Sequence, residues 1–411
     1  MALIGSAAAQ TQQVIFRFSG GATSGQPDSG LIADKAGNLY GTTNLINGGV
    51  YELSPPSAPG GSWTETTLYL FQGGVDGFSP SGGRLTMDLN GNLYGSNSFG
   101  GISNSVCPQG CGTIYKLSPP SVPGGPWTET ILFKFAGGRF GFNPGPVTLV
   151  SNGSLVVAAT VGGDSANDGF VMTLQPPAVS GGVWTKHLLY TFQGGADGSQ
   201  PNAPFVADQS HNLYSTTAQG GSGSCDGGCG TVFELSPPAP GASQWTKTIL
   251  YAFQGAPSDG SLPEHGLIFD SSGNLYGTTF QGGSNDFGTA FQLVPGSPWT
   301  ENVLHVFGTT SDGIYPNGLI MDPAGNLYGA TAEGGSGLFS GGTVYELSPP
   351  SIPGGAWSES DLHNFPSATR DGNGPESTPL LRGGVLFGPT FFGGGNNQCS
   401  SGCGTIYRIV P

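Results

Sequence analysis

The sequence predicts an all-β fold assembled from seven repeats of about four short strands each. Three observations support this: a recurring motif, its spacing, and chain ends that complement each other. The motif Asn-Leu-Tyr-Gly-Thr-Thr or its counterpart begins at Asn38, Asn92, Ser154, Asn212, Asn274 and Asn326, with a degenerate seventh copy at Gly384. Spacings of 52 to 62 residues leave room for four strands with their turns. Because one such unit cannot bury its apolar faces alone, we predict a seven-bladed β-propeller with four antiparallel strands per blade.

The fifth unit shows the predicted order of strands and turns most clearly. Its strands are expected over 266–269, 274–279, 289–294 and 299–307, separated by Gly- and Pro-rich turns. An Asp-x-x-Gly turn joins the first two strands and recurs at Asp34, Asp88, Asp270 and Asp322. In such a turn the Asp side chain bonds the following backbone while Gly takes a positive φ. We therefore interpret these aspartates as turn residues rather than metal ligands.

The two chain ends predict how the ring closes. The last unit, residues 380–411, supplies only three strands, and residues 11–18 align with the fourth-strand sequence at 128–135. We expect the N-terminal strand to complete the last blade, which removes open sheet edges. Residues 11–411 then form a single domain. Residues 1–10 are expected to be a flexible leader or the remnant of a secretion signal, since Ala7-Ala8-Ala9 is typical of a cleavage end.

Composition narrows the classes of partner. Only 9% of residues are charged, and 26 acidic against 11 basic residues give a net charge of −15. This surface repels phosphate backbones and anionic lipids, which argues against nucleic-acid binding. No apolar run approaches the ~20 residues needed to span a bilayer, so we expect no membrane insertion. The expected molecule is a monomer.

Six cysteines form three copies of one spacing, Cys107/Cys111, Cys225/Cys229 and Cys399/Cys403, each just before a predicted third strand. Paired thiols can ligate zinc, but a structural site needs four ligands from two nearby pairs. The three pairs lie in repeats 2, 4 and 7, no two of which are neighbours in a closed ring. Local disulfides fit better and imply a secreted, extracellular or periplasmic protein.

A tryptophan occupies the fourth strand of all six complete units: Trp63, Trp127, Trp184, Trp245, Trp299 and Trp357. An aromatic row of this kind can stack on sugars. A residue repeated once per blade is more often used for packing between blades, and we favour that interpretation.

The pattern Asn-Leu-Tyr-Gly-Thr-Thr, then Gly-Gly, then Gly-Thr-Val-[Tyr/Phe]-Glu-Leu resembles the GloVer tandem repeat of secreted or surface-anchored bacterial proteins. The resemblance covers nearly the whole chain, and the blade phasing is similar to that of NHL-type propellers. It implies an extracellular bacterial propeller without an assigned activity.

Positions that break the repeat are the candidates for a site. We expect the loop leading into each blade and the loop after its second strand to share one face. At the channel entrance we place Glu264 and His265 of blade 5, Arg84 of blade 2 and Arg382 of blade 7. Facing one another across a channel, such side chains can perform acid–base chemistry or hold an acidic sugar. Further ligand-binding candidates in these loops are Asp28, Asp164, Asp168, Asp286, Glu333 and Arg139.

A second set of carboxylates repeats in the leading loops as Asp-Gly. Because Ca²⁺ prefers clustered oxygen ligands, these are weak calcium candidates: Asp76, Asp197, Asp259, Asp312 and Asp371. Isolated Asp-Gly turns need no metal, so no cofactor is assigned.

Three functional hypotheses follow. The first is a secreted, non-catalytic propeller that binds an extracellular glycan or protein. The second is a glycan-active hydrolase or lyase at the channel mouth, built around His265, Glu264, Arg84 and Arg382. The third is a structural or assembly component of the cell surface. The sequence leans away from an enzyme but does not decide, because propellers host all three.

Overall fold

The computed structural model describes residues 11–21, 25–80, 83–179, 181–308, 312–335, 340–352, 354–366, 370–395 and 398–411. The predicted leader, residues 1–10, lies outside the described residues. The helices within these ranges are single 3₁₀ turns at Gly74–Asp76, Gly138–Phe140 and Gly195–Asp197. None of them is long or apolar enough to cross a membrane.

The strands form seven four-stranded antiparallel blades, each with the order first, second, third, fourth. The first strands are Ile32–Ala33, Thr86–Met87, Thr148–Leu149, Val206–Ala207, Ile268–Phe269, Ile320–Met321 and Leu380–Arg382. The second strands are Leu39–Thr43, Leu93–Asn97, Leu155–Val161, Leu213–Gln219, Leu275–Thr279, Leu327–Gly334 and Val385–Thr390.

The outer half of each blade is equally regular. The third strands are Gly49–Ser54, Thr113–Ser118, Phe170–Gln175, Thr231–Ser236, Thr289–Val294, Thr343–Ser348 and Thr405–Val410. The fourth strands are Thr64–Leu70, Thr128–Lys134, Thr185–Thr191, Thr246–Ala252, Thr300–Val306, Ser358–Asn364 and Thr11–Arg17. Short extra strands border the loops at Phe142–Pro144, Ser199–Pro201, Gly260–Ser261, Gln281–Gly282 and Gly313–Pro316.

The ring closes through the chain ends. Thr11–Arg17 pairs antiparallel with Thr405–Val410, so that Thr11 lies opposite Val410 and Arg17 opposite Thr405. The N-terminal strand is therefore the fourth strand of blade 7. This confirms the predicted seven-bladed propeller and its closure by the N-terminal strand.

Within a blade, the Gly of the Leu-Tyr-Gly motif makes room for an aromatic ring on the neighbouring strand. A Cβ on Gly41 would lie 2.5 Å from the Oη of Tyr51, a side chain that is 1% exposed. In blade 3 the larger Val157 replaces this glycine, and the residue opposite it is Met172 instead of a tyrosine. The repeat thus conserves the filled volume, as close packing requires.

Between blades, the tryptophans that directly precede the fourth strands pack on aromatic residues of the second strand in the preceding blade. Trp184 contacts Tyr94 with ring centroids 6.1 Å apart, and Trp357 contacts Tyr276 at 6.2 Å. The favoured interpretation of this row as packing residues agrees with these contacts.

The Asp-x-x-Gly turns are held by their own side chains. Asp270 accepts hydrogen bonds from the backbone N–H groups of Ser272 and Asn274, from the Asn274 amide and from the Tyr276 hydroxyl. The carboxylate is thereby committed to the turn, as the sequence indicated.

Each junction between blades uses one repeated hydrogen bond on the face that carries the leading loops. The residue before the leading-loop proline has a left-handed φ of 54° to 68° and donates its N–H to a carbonyl of the preceding blade. The donor and acceptor pairs are Gln26 to Cys403, Ser79 to Asn47, Asn143 to Cys111, Gln200 to Asp168, Leu262 to Cys229, Tyr315 to Phe287 and Gly374 to Gly341.

The three disulfides reinforce three of these junctions. Cys107–Cys111, Cys225–Cys229 and Cys399–Cys403 are all bonded, which confirms the predicted pairing. The second cysteine of each pair supplies the accepting carbonyl, so the bridge fixes the loop that the next blade binds. No free cysteine remains in the described chain for a zinc site.

We predict that Gly41→Ala destabilises the propeller by about 1–3 kcal/mol, because the added methyl group overpacks the core against Tyr51. Thermal and urea unfolding followed by circular dichroism would measure the loss. The matched background is Tyr51→Phe, which removes the closest atom, so the same Gly41→Ala change should cost less there. If Gly41→Ala lowers the stability equally in both backgrounds, contact with the tyrosine hydroxyl is not the reason that this position requires glycine.

Candidate functional site

The candidate site is a cavity of about 600 Å³ at the propeller axis. It is lined by residues that lead into the blades and by the first strands, including Leu85, Leu149, Val206 and Ile268. Its size falls in the range of pockets that bind small molecules. The charged residues lie in the segments that lead into the blades, which we call the leading segments. The first strands contribute apolar side chains to the cavity wall.

Four of the sequence-predicted residues share this cavity: Asp28, Arg84, Glu264 and His265. The structure adds Glu376, which the sequence analysis did not single out. Asp28, Glu264 and Glu376 each follow directly after the leading-loop proline of their blade. They therefore occupy equivalent positions in blades 1, 5 and 7, and aligning the residue after this proline is the signal that finds Glu376. We call these three residues the carboxyl set.

The carboxyl set binds protons more tightly than ordinary carboxylates. Burial raises the pKa of Asp28 to about 7; the hydrogen bond from the Thr42 hydroxyl lowers it, and the nearby Glu376 raises it further. Burial raises the pKa of Glu264 as well. The pKa of Glu376 is raised by burial and then by Glu333. The side chain of Glu376 is still the most exposed of the three, so screening by water moderates its shift.

Arg84 reaches across blade 1 to blade 7. Its Nη2 donates to the backbone carbonyls of Thr378 and Pro379, both at 3.3 Å. Its Nε would lie 3.1 Å from a Cβ on Gly30, so the guanidinium packs directly on the leading segment of blade 1. The side chain links blades 2, 1 and 7 at one side of the cavity.

Two buried polar atoms that line the cavity have no hydrogen-bond partner among the residues that the structure describes. They are the Oγ of Ser377, in a residue only 8% exposed, and the Nδ1 of His265. Burial lowers the pKa of His265 to about 4, against a rise from Asn317. The imidazole is therefore neutral at physiological pH, so one of its ring nitrogens donates a hydrogen bond and the other accepts one.

The expectation that Arg382 lies at the same entrance is wrong. Arg382 ends the first strand of blade 7, and its Nη2 donates to the carbonyls of Asp34 and Lys35 in the turn of blade 1. First strands run from the leading loops to the opposite face, so their last residues lie away from the cavity mouth.

The other loop candidates are not among the described residues that line the cavity. Asp164 accepts hydrogen bonds from the backbone of Ala166 and Asn167, which makes it a turn residue. Burial and then Asp164 raise the pKa of the partly exposed Asp168. Arg139 is exposed, with its guanidinium 4.9 Å from the centre of the Phe140 ring.

Asp286 and Glu333 flank an aromatic group at the junction of blades 5 and 6. Tyr315 stacks on Phe280 with ring centroids 4.6 Å apart and meets the edge of Phe287 at 5.7 Å. The pKa of Tyr315 is raised by burial, then by Glu333 and Asp286. The Asp286 carboxylate also accepts from the backbone N–H of Gly282. Sequence reasoning missed this aromatic group because Phe280 and Tyr315 are 35 residues apart.

The weak calcium candidates are used in bonds to the preceding fourth strand. Tyr69 donates to Asp76, Tyr190 to Asp197, Tyr251 to Asp259, His305 pairs with Asp312 and His363 with Asp371. Where Arg139 replaces the aspartate, Phe133 replaces the tyrosine, so the two positions change together. In the parts of the chain that the structure describes, no group of three or more His, Cys, Asp or Glu side chains can hold a metal ion.

Residues 222–411 match the family model of the Gloeobacter/Verrucomicrobia repeat, and this match together with the seven-bladed fold fits a propeller of GloVer-type repeats, as the sequence motif indicated. No curated protein sequence matches the chain.

Among solved structures, a fungal alcohol oxidase of the AA5 family, in complex with copper, is 14% identical over 98% of this chain and 77% of its own, with a TM-score of 0.57. The extracellular domain of the putative one-component system BT4673 from B. thetaiotaomicron is 11% identical over 97% of this chain and 40% of its own, with a TM-score of 0.52. At such low identity the likeness shows the fold alone.

Carboxyl groups of the leading loops also approach carboxyl groups on the fourth strands. Burial raises the pKa of Glu129 to about 8, with Asp76 adding to the rise and Lys134 opposing it. Burial and then Asp259 raise the pKa of Glu301 to about 7. A raised folded-state pKa contributes stability below the unfolded value of about 4.3, and this contribution is lost as pH rises through the folded value.

We therefore predict that the apparent melting temperature falls between pH 5 and pH 8, because Glu129 must ionise next to Asp76. Glu129→Gln should flatten this slope and stabilise the protein at pH 8. The matched control, Asp226→Asn, removes one exposed charge elsewhere and should leave the slope unchanged. If both variants shift the curve equally, general charge repulsion explains the pH dependence and the blade junction does not.

Proposed function

We propose that the protein is a secreted binding module that holds the end of an extracellular glycan in its axial cavity. The disulfides support a location outside the reducing cytoplasm. The acidic surface and the small number of basic residues argue against polyanionic ligands. The sequence left either a glycan or a protein open as the partner. We select a glycan because the polar groups lie in a concave cavity rather than on a flat face.

The observation that carries this proposal is the pair of buried, unpartnered polar atoms, Ser377 Oγ and His265 Nδ1, in the wall of one cavity. A buried polar atom without a hydrogen bond costs about 1–3 kcal/mol. Saccharide hydroxyl groups both donate and accept, so they can bond to a serine hydroxyl, a neutral imidazole and carboxyl groups together. The first-strand side chains offer apolar walls for the sugar ring.

We predict that a glycan array probed with the purified protein gives binding that Ser377→Ala weakens by about 1–2 kcal/mol, because one buried hydrogen bond is lost. Ser271→Ala, an exposed serine in the turn of blade 5, is the matched control and should bind as the wild type does. Calorimetry with the best glycan would provide the affinities. Equal binding by both variants would place the ligand outside the cavity, and no binding to any glycan would favour the structural role.

A glycan-active enzyme at the same cavity is the second candidate. The specific observation in its favour is that three carboxyl groups with raised proton affinity share a cavity with Arg84. Glycoside hydrolysis commonly uses one protonated and one ionised carboxyl group, and unequal environments separate the two roles. Asp28 and Glu264 would be the groups to test.

If the protein is catalytic, we expect the glycans that bind to release reducing ends on incubation, and Glu264→Gln to slow the release by at least about 100-fold. Binding should persist in this variant, because the amide keeps the shape and one acceptor. Glu234→Gln, a third-strand residue outside the cavity, controls for the change of charge. Binding without any release would leave the non-catalytic module as the function.

A further inference from the structure

We infer that the axial cavity selects a cationic, hydroxyl-rich ligand, namely a saccharide end that carries an amino group. This inference rests on the proposed glycan-binding function and names the class of glycan. It follows from the balance of charge in the cavity wall together with the unpartnered hydroxyl of Ser377, which is more than nine-tenths buried.

The charged side chains in the cavity wall are unequal in number. Among its described residues, the carboxyl set provides three acids, while Arg84 is the one arginine or lysine. The guanidinium of Arg84 is already bonded to two backbone carbonyls, so little of its hydrogen-bonding capacity remains for an anionic ligand. His265 is neutral at physiological pH. The site therefore favours a cation and disfavours an acidic sugar, contrary to the use of Arg84 that the sequence analysis considered.

The position of the three acids makes this preference strong. They occupy equivalent positions in blades 5, 7 and 1, and the other ionisable groups around Asp28 are Glu376 and the buried phenols Tyr51 and Tyr115. The positive group packed on the same segment is Arg84, which contacts Gly30 and is already bonded to the carbonyls of Thr378 and Pro379. An ammonium group placed between carboxylates in a partly desolvated cavity interacts more strongly than it would in water. The net charge of −15 adds a long-range field that attracts cations to the surface.

Binding should be coupled to proton release. In the free protein near pH 6, burial keeps much of Asp28 protonated. An approaching ammonium group favours the ionised form, so the carboxyl proton passes to the buffer as the ion pair forms. Affinity for the amine should then rise as pH increases from 6 to 8 and level off above the pKa of Asp28.

The experiment uses glycosides with an aminoethyl group, prepared from a panel of common hexoses and N-acetylhexosamines, and their N-acetylated counterparts. Each pair differs in one charge, and the alkyl amine stays protonated from pH 6 to pH 8. Titration calorimetry of the full chain should show about tenfold tighter binding of the amine at pH 8, equivalent to about 1.4 kcal/mol. At pH 6, buffers with different ionisation enthalpies should report the release of a proton.

Asp28→Asn should lower the affinity for the amine by about tenfold and leave the acetylated partner within about twofold, because it keeps one oxygen acceptor. Glu376→Gln should act in the same direction, and Asp226→Asn, an exposed acid outside the cavity, should change neither affinity. Equal binding of both members of each pair would overturn the inference and leave the proposed function intact. Failure of every glycoside to bind would overturn both.

Discussion

The whole propeller depends on one repeated constraint, the hydrogen bond between the residue before each leading-loop proline and the preceding blade. The donor residue adopts a left-handed backbone conformation, which is uncommon for residues other than glycine and disfavoured by a following proline. Such strain persists only where surrounding structure enforces it. Here the proline packs on the glycine that opens the preceding third strand; a Cβ on Gly404 would lie 2.5 Å from Cδ of Pro27. That contact explains why Gly-Thr recurs with the motif.

This junction also builds the site. The same hydrogen bond fixes each leading segment to the preceding blade. The residue after each proline therefore occupies an equivalent position in every blade. Three blades place a carboxyl group there, and others place Gly145, Asn202 or Asn317. The candidate site is therefore formed by residues that differ between blades at equivalent backbone positions, and no inserted element is needed to form it. The residues before the prolines hold the blades together, and the residues after the prolines can differ from blade to blade.

The motif spacing and the chain-end alignment were sufficient to predict the blades and their closure, because short strands with fixed turns leave few other ways to bury their apolar faces. The cysteine spacing predicted the disulfides for a similar reason, since a five-residue turn brings the two thiols together. The site was predicted less completely. Asp28, Arg84, Glu264 and His265 were found as departures from the repeat, whereas Arg382 also departs from the repeat but ends its strand and binds the turn of blade 1.

The sequence by itself determined the architecture, because local periodicity and the need to pair every edge strand are properties that repeat along the chain. Only the tertiary structure decided which departures from the repeat meet. Asp28 of blade 1 and Glu376 of blade 7 are far apart in the chain, and they become neighbours because ring closure brings the first and last blades together, while Glu264 of blade 5 lines the same cavity. Likewise, only packing shows that Ser377 is buried without a partner, since burial depends on what lies across the axis.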